Sequence, residues 1–444
     1  MIRSVCIIGA GIGGLAAAMV LAGRGVQVDV LEQAPTVGGK ALHVPAAHGI
    51  TLRPVFDALF ADAPAAPPPM TRQTLLMRHR WADGTSLDIV DGVAANADAV
   101  GRLRGAAAAR GYREFAARGQ RYFEALEQPF INAQRPGALQ FAAQPQLARQ
   151  LGLGALAPLW DALGAHFTDP RLRQVFARAA CYVGASPLLA PATLMMIAHI
   201  EQQGVWCLDG GPTALVAAMR DAAMAAGARL RLATRVTGLR IEGGRARGVL
   251  LGAEVLAADA VIANVDAAGL VPATPPLPAA KRSFSAIAWR VRRRDDGPAR
   301  QVFLPDDPTA EFTALHYRQR LADQPSLQIG GDTAMILAPA RADTRPLAAE
   351  AIAAAGQAAL ALTHGSLEFD DTVPTTPQDF EHEAPGQGGA LYGQALHGWG
   401  ASFARPGART RLPGFYLCGG GCHPGAGLAM AALSGRLAAE AALA

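Results

Sequence analysis

Residues 4–15, Ser4-Val5-Cys6-Ile7-Ile8-Gly9-Ala10-Gly11-Ile12-Gly13-Gly14-Leu15, are the stretch on which the fold turns. Ser4 to Ile8 is a short apolar run without alternation, which predicts a parallel strand covered on both faces. Gly9 to Gly14 is a glycine loop, and Leu15 to Gly23 is an Ala-rich helix ending at glycine. Val26 to Leu31 is the next strand, so the spacing is βαβ. In Gly9-x-Gly11-x-x-Gly14, the first glycine allows the tight turn. The second lets backbone approach a pyrophosphate, and the third lets helix and strand pack closely. The phosphates would sit at the helix N-terminus, where free N–H groups and the macrodipole favour anions. Glu32 follows the second strand, 18 residues beyond Gly14, the place of a carboxylate that accepts hydrogen bonds from an adenosine ribose.

Two further motifs extend this reading. Gly38-Gly39-Lys40 lies six residues past Glu32. Backbone without Cβ passes close to a cofactor there, and Lys40 can neutralise a phosphate. Near the other end, Phe415 to Cys418 is an apolar strand that runs into Gly419-Gly420-Gly421. Cys422-His423-Pro424-Gly425-Ala426-Gly427 follows, then a helix to the C-terminus. Two glycine-rich strand-to-helix turns, some 400 residues apart, fit one long dinucleotide gripped at both ends. The positive end of the last helix would face a flavin ring and stabilise its reduced, negative form. A nicotinamide enzyme has no need of this second element, so FAD, bound non-covalently, is the expected cofactor.

Composition agrees with an enzyme of several domains. The chain has 444 residues, 51% hydrophobic and 17% charged, enough apolar material for large cores. Mean hydropathy is +0.17, yet no unbroken apolar run reaches the roughly 18 residues of a membrane span. The N-terminus passes straight into a strand, which predicts no secretory signal and a cytoplasmic compartment. Net charge is +4, and no nucleic-acid motif accompanies it. Arg102, Arg104, Arg110, Arg113 and Arg118 form a basic stretch that reads as a solvated helix face. Five cysteines with no C-x-x-C predict neither a disulfide framework nor a metal site.

Between the glycine motifs the character changes. Helical patterns dominate from about 55 to 204, as in Ala106 to Gln128 and Pro145 to His166, with a hairpin from Arg80 to Asp88 turning at Asp83-Gly84. A helix opening at Pro212 and running to about Ala226 follows. A hairpin pairs Arg235–Ile241 with Ala246–Leu251, and Ala260 to Asn264 is another apolar strand. Ser283 to Arg292 alternates in part, with Ile287, Trp289 and Val291 on one face of a second sheet. The expected organisation is a discontinuous FAD-binding domain from 1–64, 205–270 and 386–444. A mainly helical cap over 65–204 and a substrate-domain sheet over 271–385 complete it.

At this point the chain resembles a known family, the bacterial phytoene desaturases. It is most similar to their branch of hydroxycarotenoid 3,4-desaturases, also called methoxyneurosporene desaturases. The resemblance runs over nearly the whole chain. It is carried by Arg53-Pro54-Val55-Phe56-Asp57-Ala58-Leu59-Phe60, Tyr182-Val183-Gly184-Ala185-Ser186-Pro187 and Ala190-Pro191-Ala192-Thr193-Leu194. Gln203-Gly204-Val205-Trp206, Gly388-Gly389-Ala390-Leu391-Tyr392-Gly393 and His397-Gly398-Trp399 continue it, and His423-Pro424-Gly425-Ala426-Gly427 closes it. One segment departs: Ala46 to Leu52 runs directly into Arg53 and is shorter than the family pattern.

The resemblance implies an α/β fold of the glutathione-reductase and amine-oxidase type, with a discontinuous Rossmann-like FAD-binding domain and an α+β substrate domain under a helical membrane-facing cap. It implies that Gly9, Gly11, Ile12, Gly13, Gly14, Glu32, Gln33, Gly38, Gly39, Lys40, Arg53, Val236, Gly420, Gly421, Gly427, Leu428 and Ala429 bind FAD. It also implies a carotenoid substrate, desaturation of a C–C bond with hydride passing to flavin N5, and quinone or oxygen as electron acceptor. Monotopic attachment to the inner face of the bacterial membrane follows from where such substrates dissolve. Arg53 and His423 are the polar side chains expected nearest the ring, the first as an anchor and the second as a holder of its loop. His199 reads as a core or tunnel residue, and no catalytic residue is assigned. A flavin-dependent carotenoid isomerase, or another FAD oxidoreductase of an apolar substrate, is the alternative.

Overall fold

The computed structural model describes residues 2–43, 49–61, 63–270, 276–339 and 346–444. Its centre is a five-stranded, all-parallel sheet. The strands stand in the order Phe415–Leu417, Ala260–Ala263, Ser4–Ile8, Gln27–Leu31 and Arg229–Arg231. The Ser4–Ile8 strand is covered on both faces, which is why it lacks alternation. Val5 and Ile7 pack with the helices Ile12–Gly23, Gly211–Ala225 and Leu428–Leu443. Cys6 and Ile8 pack with Leu239 and Val249 of a small antiparallel sheet. The opening helix begins at Ile12, three residues before the sequence reading places it.

A second, mixed sheet has seven strands. Its order is Leu367–Phe369, Ser285–Arg293, Thr333–Ala338, Leu327–Gly330, Arg300–Leu304, Leu75–Trp81 and Ser86–Val90. Ile287, Trp289 and Val291 share its buried face, as their alternation predicts. Trp289 stacks on Phe369 at 4.8 Å.

The structure adds detail to two segments. The 65–204 segment is mainly helical and carries the expected hairpin. Its hairpin at Asp83-Gly84 joins the mixed sheet through a parallel pairing of Arg78–Trp81 with Gln301–Leu304. A contact between strands more than 200 residues apart leaves no local trace in a sequence. The helical pattern from Pro145 to His166 is divided into Pro145–Leu151, a 3₁₀ turn at Leu153–Leu156, and Leu159–Gly164. Gly152 takes a φ of +65° between the first two, and Pro158 opens the third, so the backbone breaks where its residues favour a break. The long amphipathic helix Ala106–Leu126 forms as expected. Its Tyr112, Phe115 and Tyr122 are buried together with Phe167 and Phe176.

Candidate active site

The C-terminal ends of the parallel strands open onto one cavity of about 880 Å³, lined by Ile8, Leu31, Asn264 and Leu417. Ligands of open α/β sheets collect at this edge. Gly9 holds a φ of +94°, and a Cβ on Gly14 would stand 2.1 Å from the Gly9 carbonyl oxygen. The first position thus needs the left-handed region, and the third needs a bare Cα where helix meets strand. Gly11 and Gly13 back onto Asn264, whose side-chain atoms would meet their Cβ atoms at 2.8 and 2.7 Å.

The opening helix has Gly11 as N-cap and the closing helix has Gly427, and neither N-terminus carries a side-chain cap. Both glycines line the cavity. Two sets of first-turn amides are thereby left to a ligand, and both macrodipoles favour negative charge there. A Cβ on Gly39 or Gly427 would meet no protein atom within 4 Å. The cradle therefore suits an anionic dinucleotide held at both ends.

Glu32 is 8% exposed, and its carboxylate already organises the loop. Oε2 accepts from the Ala10 amide at 2.7 Å and Oε1 from the Ala34 amide at 2.9 Å. A carboxylate has about four lone-pair sites, so capacity for ribose hydroxyls remains. Lys40 lines the cavity, yet its Nζ donates to the Ala390 carbonyl at 2.7 Å. Burial pulls its pKa down to about 8, against the attraction of Glu381, Asp266 and Glu383.

Of the residues singled out from the sequence, Gly9, Gly11, Ile12, Gly13, Glu32, Gln33, Gly38, Gly39, Lys40, Val236, Gly420, Gly421, Gly427, Leu428 and Ala429 line this one cavity. Gly14 stands behind it at the helix–strand contact. Arg53 lies outside it. Its guanidinium pairs with Asp57 at 3.2 Å, sits 6.0 Å from the Trp206 ring and is 41% exposed. The i, i+4 spacing of Arg53 and Asp57 on the Arg53–Ala61 helix turns the charge outward. His423 is buried and follows the loop. Its Nε2 faces the Ala133 carbonyl at 3.0 Å, its ring packs edge-on against Phe130, and burial lowers its pKa. His199 is half-buried against Phe123. Of the shortened Ala46–Leu52 segment, residues 46–48 lie outside the described residues, while Gly49 to Leu52 line the cavity.

Sequence reasoning missed Arg405. It is 1% exposed, and its two Nη groups donate to the carbonyls of Gly420 and Gln394 at 2.8 and 2.7 Å. A fully buried guanidinium thus ties down the glycine turn that leads into the closing helix. Leu194, Ile197, Ile200, Ile336 and Leu391 give the same cavity an apolar wall, and Glu201, Arg300 and Arg178 are among the charged residues that line it. Among the described residues, no group of three or more His, Cys, Asp or Glu side chains is placed to hold a metal.

Comparison with known proteins places these features in context. A family of FAD dependent oxidoreductases (DAO) matches residues 4–441. The chain is 37% identical to the hydroxyneurosporene desaturase of Rubrivivax gelatinosus, with 98% of this chain and 92% of that one covered. It is 36% identical to the protein of the same description from Cereibacter sphaeroides, over 100% of this chain and 98% of that one. In structure it is similar to the cyclohexylamine oxidase of Brevibacterium oxydans, with a TM-score of 0.56 over 100% and 99% of the two chains at 15% identity. That likeness speaks to the fold alone.

Proposed function

The chain belongs to the bacterial phytoene desaturase family of FAD dependent oxidoreductases, and from that premise we propose that it desaturates a C–C bond of a hydroxylated carotenoid. The observation that carries this reading is the continuity of the cavity, in which the uncapped amides of Ile12–Gly23 and Leu428–Leu443 and the apolar wall of Leu194, Ile197 and Ile200 share one space. A saturated carbon beside a polyene has no acidic proton and no leaving group, and bound FAD supplies the two-electron acceptor that such a carbon requires. The chain's own residues bind, orient and exclude water. Gly9, Gly11, Ile12 and Gly13 offer backbone to the pyrophosphate, Glu32 to the ribose, and Gly420, Gly421, Gly427, Leu428 and Ala429 to the ring. Gln33, Gly38, Gly39, Lys40 and Val236 complete the enclosure. The apolar wall aligns the chain of a polyene and keeps water from the reacting bond.

No helix among the described residues is long and apolar enough to cross a membrane. The substrate nonetheless dissolves in lipid, and we place its entry at an apolar rim where the helical 65–204 segment meets residues 399–403. Leu139 is 88% exposed and Trp399 is 44% exposed. Their neighbours Phe141 and Phe403 pack on Phe130, which lines the cavity. Monotopic contact with the inner face of the membrane fits this rim, and a quinone or oxygen would reoxidise the cofactor.

The test is the flavin spectrum of purified protein, recorded anaerobically before and after hydroxylated neurosporene is added in lipid. Bleaching of the oxidised band, with a longer-conjugated polyene on extraction, is the expected result. A flavin that stays oxidised with every polyene overturns the reading.

A further inference from the structure

Among the described residues, two charged side chains that line the cavity, Glu201 and Arg300, form no ion pair within 4.0 Å. Glu201 comes from the helix Met196–Gln203 and Arg300 opens the strand Arg300–Leu304. Both line the cavity. Their charges interact, and Arg300 opposes the rise to about 7 that burial imposes on the Glu201 carboxyl. No ion pair within 4.0 Å joins them among the described residues, and the buried Nη1 of Arg300 has no hydrogen-bond partner. The nearby Arg178 is the opposite case. Its Nη groups donate to Ser326 and Gln328 at 3.0 and 2.9 Å, and Ser326 in turn donates to Glu311.

The backbone holds the Glu201–Arg300 pair in place. Gly204 ends the helix, and Ile50 and Trp206 exchange two backbone hydrogen bonds across the chain. Gly49 lies against Arg300, for a Cβ there would stand 3.0 Å from Nη1 and 2.1 Å from Val205. Burying a charged group without partners is costly. A pair kept apart and facing a cavity therefore suits a ligand that supplies the missing hydrogen bonds. Apolar substrate along its whole length could not do so.

Resting on the desaturase reading above, we propose that Glu201 and Arg300 receive the hydroxyl-bearing end of the polyene and make the enzyme select hydroxylated over plain hydrocarbon substrates. A hydroxyl donates to one of these groups and accepts from the other at once. An unhydroxylated end leaves both desolvated and unpaired. Sites built to hydrogen-bond a substrate hydroxyl reject the analogue that lacks it far better than apolar pockets reject an extra group.

The experiment compares hydroxylated neurosporene with neurosporene, in the same vesicles, on the flavin-loaded protein. Anaerobic bleaching rates give kcat/KM, and quenching of tryptophan fluorescence gives the dissociation constants. Wild-type protein should favour the hydroxylated polyene in both. In Glu201→Leu and Arg300→Met that preference should fall roughly 10- to 100-fold, chiefly through the hydroxylated substrate. Glu201→Gln, which keeps an acceptor oxygen and offers an N–H donor beside it, should retain most of it. Should Glu201→Leu not fold, Arg300→Met carries the same comparison. Variants with a wild-type flavin spectrum and an unchanged preference overturn the inference and leave the desaturase reading standing, as does a wild-type protein with no preference. A wild-type flavin that bleaches with neither polyene overturns both.

Discussion

Gly435 and Gly13 face each other so closely that a Cβ on Gly435 would stand 2.0 Å from the Gly13 carbonyl oxygen. The closing helix and the opening helix touch there backbone to backbone, with Ala16 also 3.0 Å from that Cβ position. Gly13 lies in the first turn of the opening helix and lines the cavity. Gly435→Ala must push the two helices apart, an overpacking cost of about 1–3 kcal/mol. The expected outcome is a lower melting temperature together with faster flavin loss, followed by differential scanning fluorimetry on the flavin signal. A variant that melts lower but keeps its flavin as tightly would separate packing from the cradle.

Glu32 is expected to matter through the loop as much as through the ribose. Glu32→Ala strands the amides of Ala10 and Ala34, which now end on its two oxygens. Each orphaned amide costs about 1–3 kcal/mol. Flavin affinity should fall by about tenfold or more, measured by titrating apoprotein with FAD and following fluorescence quenching. Glu32→Gln should lie between, because its amide group turns a donor toward one of those N–H groups.

Arg405 should prove harder to replace than a surface arginine. Burial lowers its pKa to about 10, and its hydrogen bonds go to the carbonyls of Gly420 and Gln394. Arg405→Lys presents a point charge where a planar fork spans two acceptors. Flavin retention on gel filtration should drop in Arg405→Lys and more so in Arg405→Leu. Arg53→Ala is the contrast. Its partner Asp57 is solvent-facing, and exposed pairs contribute little, so its flavin spectrum and affinity should match wild type.

Acid should destabilise the protein through His79. This imidazole is 4% exposed, and burial, reinforced by Arg178, takes its pKa from 6.5 to about 3. The unfolded chain therefore binds the proton more tightly across that window. Stability is complete above the ordinary histidine value and falls as pH drops toward the folded one. Between about pH 6.5 and about pH 5 the loss is about 2 kcal/mol. His397, pulled down to about 4 by burial, acts in the same direction. Melting temperatures against pH should show a shallower acid slope in His79→Gln than in wild type.

The parts of the site made of backbone were legible in the sequence. Gly9, Gly14 and Gly38 occupy positions where positive φ or the absence of Cβ is a physical demand, and such demands leave single-residue marks at fixed spacing. Glu32 was legible because it follows its strand directly. The roles of Arg405, Glu201 and Arg300 were not, since an isolated arginine or glutamate carries no sign of what the fold will bury it against. The parallel pairing of Arg78–Trp81 with Gln301–Leu304 was hidden for the same reason. Arg53 is the reverse case, a residue of a family motif that the helix places beside Asp57 and outside the cavity.

The interleaved order of the parallel sheet carries a consequence for how the molecule is made. Its strands come from residues 4–8, 27–31, 229–231, 260–263 and 415–417. A ribosome releases the first βαβ unit long before the strand and helix that complete it. Until then Ser4–Ile8 has no Ala260–Ala263 beside it, and Ala260–Ala263 has no Phe415–Leu417. The nascent chain exposes apolar strand edges that invite misassociation. Such a topology has high contact order and folds slowly. Cofactor capture is then a late event, because the second glycine turn and the helix Leu428–Leu443 that complete the cradle come last in the chain.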